Sequence, residues 1–182
     1  DLHAARAAVL ATFFLNGFAF ATWASRIPAV RESLDLDPGR LGLLLLSVSV
    51  GSLLALPTSG GFVQRFGARR VVTVAAVVDG LGLALLAAGA GERSALPLAV
   101  AGLLLVGYGT GSWDVAMNVE GAAVERRLGR SIMPRFHAAF SLGTVAGAGI
   151  GSLASCDHRR ASLNSVYNSL AASSISAPLG SS

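Results

Sequence analysis

No lysine occurs anywhere in the 182 residues, and cysteine occurs once. The single cysteine, Cys156, excludes an internal disulfide framework. Charge of either sign is scarce: 13% of residues are charged, against about 25% in an ordinary water-soluble domain. Such a chain cannot readily cover a water-facing surface, particularly with 53% hydrophobic residues, 22 glycines and a mean hydropathy of +0.63. A net charge of +4 is compatible with a nucleic-acid binder. The arginines, however, stand in short clusters between apolar runs and not along one face, so no nucleic-acid partner is expected. No G-x-G-x-x-G turn follows a strand pattern and no nucleophile elbow appears. Neither a cofactor nor a metal is therefore expected, and the polar residues are too scattered for an enzyme's catalytic cluster.

What remains is hydrocarbon in long runs. Five segments approach the roughly 20 residues that a helix needs to cross a bilayer: about 7–24, 41–62, 71–90, 96–119 and 133–154. They are apolar nearly all round, unlike the one-sided helices of a soluble bundle. In lipid their backbone groups must pair internally, so the expectation is all-α, a polytopic transmembrane helical bundle. A secretory signal over the first segment is disfavoured by the four apolar segments that follow. Arginines set the orientation. Arg65, Arg69 and Arg70 lie between the second and third segments, and Arg126, Arg127 and Arg130 between the fourth and fifth. Both connections, and the N-terminus, are read as cytoplasmic. From about Cys156 the chain turns polar and serine-rich, and residues 156–182 are expected to form a disordered or foreign tail.

The informative residues are the polar ones inside the runs. Gly107, Gly111, Asp114, Asn118 and Gly121 recur at spacings of four, three, four and three, which places them on one helix face. The glycines admit a neighbouring backbone. A carboxylate at bilayer depth costs roughly 3 kcal/mol, so Asp114 is expected to face a protein interior or an aqueous cavity. There it either carries a proton or bonds Asn118 to fix packing. Asp79 lies within the third segment, Asn16 within the first, and His137 one turn into the fifth. Each is a candidate for proton or substrate handling and equally an ordinary polar seam or interface residue. Trp23 and Arg26 suit the end of a span. Gly143, Gly147 and Gly151 form a close-packing stripe.

GGFVQRFGARR, residues 60–70, resembles the loop motif of the major facilitator superfamily, with Gly60, Arg65, Gly67, Arg69 and Arg70 in register. Gln64 stands where the motif has aspartate, and Ala68 where it usually has a basic residue. The resemblance implies that this loop takes part in a conformational switch. FFLNGFAFATWASRIP and GTGSWDVAMN resemble the fucose-permease-like sugar transporters and related bacterial inner-membrane carriers. It implies that Asp114, followed four positions later by Asn118, takes part in proton coupling. A second acid of that branch falls on Ala24, which weakens fucose itself as substrate. The fifth segment lacks the proline of the antiporter signature, favouring symport. The likeness covers residues 7–154, the first five helices of an expected twelve. The chain is thus expected to be a truncated N-terminal half of a proton-coupled carrier for a small, sugar-like solute, needing a C-terminal half to transport. The alternatives are a non-transporting membrane fragment with a structural or regulatory role, or a fragment of a drug-type efflux carrier.

Overall fold

A computed structural model of the chain describes residues 2–91 and 95–153. These form six helices: α1 (Leu2–Ala24), α2 (Ile27–Ser33), α3 (Pro38–Phe66), α4 (Ala68–Gly89), α5 (Leu96–Leu128) and α6 (Met133–Leu153). No strand occurs among the described residues. Five of the helices are long and apolar enough to cross a membrane: α3, α4, α5, α6, and α1 continued by the short α2. The expected tail, residues 156–182, lies outside the described residues.

Local chemistry sets the helix ends. Asp37 starts α3 by accepting the N–H groups of Gly39 and Arg40 at 2.9 and 3.1 Å, with Pro38 in the first helical position. These backbone bonds, that of Arg40 foremost, hold the Asp37 carboxyl below its ordinary range. Within α3, Pro57 offers no N–H to the preceding turn, while the hydroxyls of Thr58 and Ser59 donate back to the Leu54 and Ala55 carbonyls. Gly67 alone separates α3 from α4, at φ 83°, where a side chain would be strained. The expected switch loop is therefore almost wholly helical: Gly60 and Arg65 belong to α3, and Arg69 and Arg70 to the first turn of α4. The left-handed Gly129 ends α5, and the Glu125 carboxylate accepts the N–H groups of Ile132 and Met133, both at 2.7 Å. That one side chain caps the start of α6.

Short connections make successive spans antiparallel, so α3 and α5 run parallel, as do α1 and α6. Each parallel pair meets through small residues. A methyl group on Gly51 would overlap the Leu104 carbonyl, and one on Gly107 that of Val48. Gly143 and Gly147 press on the Phe14 and Phe18 carbonyls in the same way, so the expected glycine stripe of α6 lies against α1. Such contact lets dispersion and backbone-facing hydrogen bonds act where lipid offers no hydrophobic drive. Ser52 Oγ accordingly donates to the Gly107 carbonyl at 3.0 Å.

Beside a small apolar cluster of Val63, Ala68, Val71 and Ala116, two large ones fill the interior. One joins Val9, Phe13, Trp113, Met117 and Phe136 toward the arginine-rich end. The other joins Trp23, Leu36, Leu44, Leu86 and Leu103 toward the opposite end. Trp23, expected as an interfacial anchor, is only 8% exposed. It belongs to this cluster, onto which α2 also brings Ile27, Val30 and Leu34. Outward-facing Leu43, Val77, Leu142 and Val145 remain exposed, as befits a chain surrounded by hydrocarbon.

Candidate functional site

Between the two apolar clusters lies a cavity of about 310 Å³, lined from four helices. Asn16 and Phe20 come from α1, Ser52, Leu53 and Leu56 from α3, Thr110, Gly111 and Asp114 from α5, and Phe140 from α6. The cavity sits where the small residues of the helix crossings leave volume unfilled. Asp114 is the only titratable side chain in its wall.

The polar groups differ in how far they are satisfied. Asn118, one turn beyond Asp114, donates through Nδ2 to the Asp114 carbonyl at 2.9 Å and to Asp114 Oδ1 at 3.2 Å. Among the described residues no donor reaches the second carboxylate oxygen. Asn16 is 3% exposed, and its Nδ2 has no hydrogen-bond partner. A buried, unpaired donor costs about 1–3 kcal/mol, so its place in a cavity wall marks it as a group awaiting an acceptor. The wall thus offers one open acceptor and one open donor between the rings of Phe20 and Phe140.

His137 lies outside the wall but within electrostatic range of Asp114, its ring edge-on to Phe13 at 5.4 Å. Asp79 is placed elsewhere. It is 7% exposed in the seam between α4 and α5, where Thr110 Oγ1 donates to its Oδ1 at 2.9 Å. Thr110 itself lines the cavity, so Asp79 touches the site only through that hydroxyl. The motif residues Gly60, Arg65, Gly67, Arg69 and Arg70 stand apart, at the arginine-rich end. The fold therefore brings Asn16 and Asp114 to one cavity, adds Asn118 and His137 beside it, and keeps Asp79 and the motif separate.

Sequence reasoning missed Ser52, Thr110, Phe20 and Phe140. Thr110 was within reach, since 110, 114 and 118 follow the same four-residue spacing. Ser52 and the two rings carry no such signal, because only the packing of α1, α3 and α6 brings them to the wall.

Comparison with known proteins agrees with this architecture. The family model of the Major Facilitator Superfamily matches residues 9–176. An uncharacterized MFS-type transporter of Yersinia pestis is 39% identical over 137 residues, 75% of this chain and 35% of the relative. An uncharacterized transporter of Sinorhizobium fredii is 38% identical over 146 residues, 80% of this chain and 38% of the relative. The membrane protein MosC of Rhizobium meliloti is 34% identical over 140 residues, 77% of this chain and 33% of the relative. The matched part thus spans about a third of each relative's length. No solved structure matches the chain significantly.

Proposed function

Because this chain belongs to the major facilitator superfamily, we propose that it supplies the N-terminal part of a secondary carrier that moves a small polar, sugar-like solute together with a proton. The reading rests above all on the cavity wall, which pairs the open Asp114 oxygen with the unpartnered Asn16 amide. A hydroxyl group both donates and accepts, so it answers the two together. The rings of Phe20 and Phe140 suit the C–H faces of a sugar. A volume of about 310 Å³ lies at the small end of ligand sites. Asp114 carries the coupled proton in this scheme, with His137 within electrostatic range of it. Among the described residues, Arg6, Arg65, Arg69, Arg70, Arg126, Arg127, Arg130 and Arg135 stand at one end of the bundle and Arg26, Arg31 and Arg40 at the other. That asymmetry supports a cytoplasmic N-terminus in a bacterial inner membrane. Carriers of this kind rock two halves about a midplane site, so transport needs a C-terminal half as partner.

The test uses a full-length relative with Asp114→Asn at the matching position. Asn keeps the size and polarity but cannot titrate. Accumulation against a gradient should be abolished, while energy-independent counterflow of a radiolabelled sugar persists. Accumulation at the wild-type level would remove the proton role. Counterflow confined to hydrophobic cations would remove the sugar-like substrate.

A further inference from the structure

A second cavity, of about 380 Å³, opens between α3 and α4 on the side away from Asp114. Its walls are Phe62 and Phe66 of α3 and Val71, Val74 and Val78 of α4, and its floor is Tyr108 and Ser112 of α5. The crevice exists because α3 and α4, joined at one end by Gly67, each pack mainly on α5 and little on each other. The two hydroxyls on its floor are already engaged. Thr58 Oγ1 lies 3.0 Å from the Tyr108 hydroxyl, and Ser59 Oγ lies 2.9 Å from Ser112 Oγ. The interior therefore presents hydrocarbon alone, which suits no sugar.

The mouth is different. Arg70 lines it, and the Arg65 guanidinium stands 5.6 Å from the ring centroid of Phe66 at the same edge. Among the described residues the single ion pair is Arg40–Asp37, so no carboxylate neutralises Arg65 or Arg70. Arg70 to Val78 spans eight residues, about 12 Å of helix. A cationic rim thus stands at the arginine-rich end of the bundle, with an apolar slot running from it toward the bilayer centre. Phe62, Phe66 and Val74 are each more than 40% exposed.

We infer that this crevice binds one anionic phospholipid, with an acyl chain between α3 and α4 and the headgroup phosphate on Arg70. The rim supplies the charge complementarity, and the slot supplies the match to hydrocarbon. Basic pockets between transmembrane helices at this level are suited to anionic headgroups. The inference rests on the membrane placement of the chain and not on the transported solute.

Native mass spectrometry of the full chain in detergent tests it, with dioleoyl phosphatidylglycerol and dioleoyl phosphatidylcholine added at equal concentration. Phosphatidylglycerol should bind about fivefold more tightly, and Arg70→Gln should reduce it to the phosphatidylcholine level. Val74→Trp, which fills the slot, should weaken both lipids alike. Equal binding of the two lipids, or a preference unchanged by Arg70→Gln, would overturn the assignment. So would displacement by millimolar glycerol phosphate, which would mark a soluble-phosphate site. A photoreactive benzoylphenylalanine at position 74, in an otherwise native chain in phosphatidylglycerol vesicles, reads the occupant directly. A lipid adduct is expected. An adduct to protein instead would assign the crevice to another helix and refute the proposal.

Discussion

Gly107→Ala isolates the role of the α3–α5 crossing. The added methyl group has no room, because it would lie inside the Val48 carbonyl and close to the Val48 Cα. Restoring a van der Waals separation of about 3.5 Å forces the helices apart by roughly an ångström. Overpacking of this kind costs about 1–3 kcal/mol. The same opening stretches the 3.0 Å bond from Ser52 to the Gly107 carbonyl, and such bonds between membrane helices average about 0.6 kcal/mol. The combined loss is about 1.6–3.6 kcal/mol, offset by up to about 1 kcal/mol of helix propensity. Gly60→Ala is the matched control: Gly60 is also within a helix, but nothing lies within 4 Å of an added Cβ. Helix propensity alone then favours Ala by up to about 1 kcal/mol. Unfolding by titration with sodium dodecyl sulfate from a mild detergent, followed by circular dichroism, compares the two. Gly107→Ala should unfold at a clearly lower mole fraction than the parent chain, and Gly60→Ala at the same or a higher one. Equal midpoints for the two variants would refute close backbone contact as the basis of the pair. Since Gly60 is a motif residue, a transport defect in the matching variant of a full-length relative would then report on conformational exchange and not on folding.

Three further outcomes are expected. The Asp37 carboxyl lies below its ordinary value of 3.8 in the folded chain, so its cap is at full strength above that pH and is lost as pH falls through the lower folded value. Amide exchange at Gly39 and Arg40 should accelerate in that acid range, and Asp37→Asn should remove the pH dependence while keeping a cap. Glu125→Ala should speed exchange at Ile132 and Met133, the two N–H groups it accepts, while leaving the middle of α6 protected; unchanged exchange would show that the cap is idle. Thr110→Val deletes the hydroxyl that meets Asp79 and should lower the unfolding free energy by about 0.6–1.7 kcal/mol, read as a lower midpoint in the detergent titration, whereas an unchanged midpoint would show the pair to be unimportant for packing.

The spans were legible in the sequence because hydrocarbon runs bounded by arginine admit one economical solution in lipid. Asp114 and Asn118 were legible as a pair because i and i+4 lie on one face whatever surrounds the helix. Contacts between helices were not. Nothing local to Asn16 indicates that its amide shares a wall with Asp114, since that depends on how α1 packs against α5 and α6. Trp23 carried the pattern of an interfacial anchor, yet it is buried in a cluster to which the short α2 contributes Ile27, Val30 and Leu34, a segment too short to show an apolar period of its own. Glu125 read as one more charge in a connection. Its capping role depends on the left-handed turn at Gly129, which swings the start of α6 within its reach.

The pairing of α1 with α6 bears on how the protein is made. Thr22 and Gly147, which meet across that pair, are 125 residues apart in the chain. At about 5–20 residues per second of synthesis, the first helix is finished roughly 6–25 s before its partner exists. During that interval the face of α1 around Gly17, which meets the Phe140 carbonyl in the finished bundle, has no protein neighbour from α6. The first span must therefore be held by the insertion machinery, or turned toward the later helices as they arrive, until α6 emerges to close the bundle.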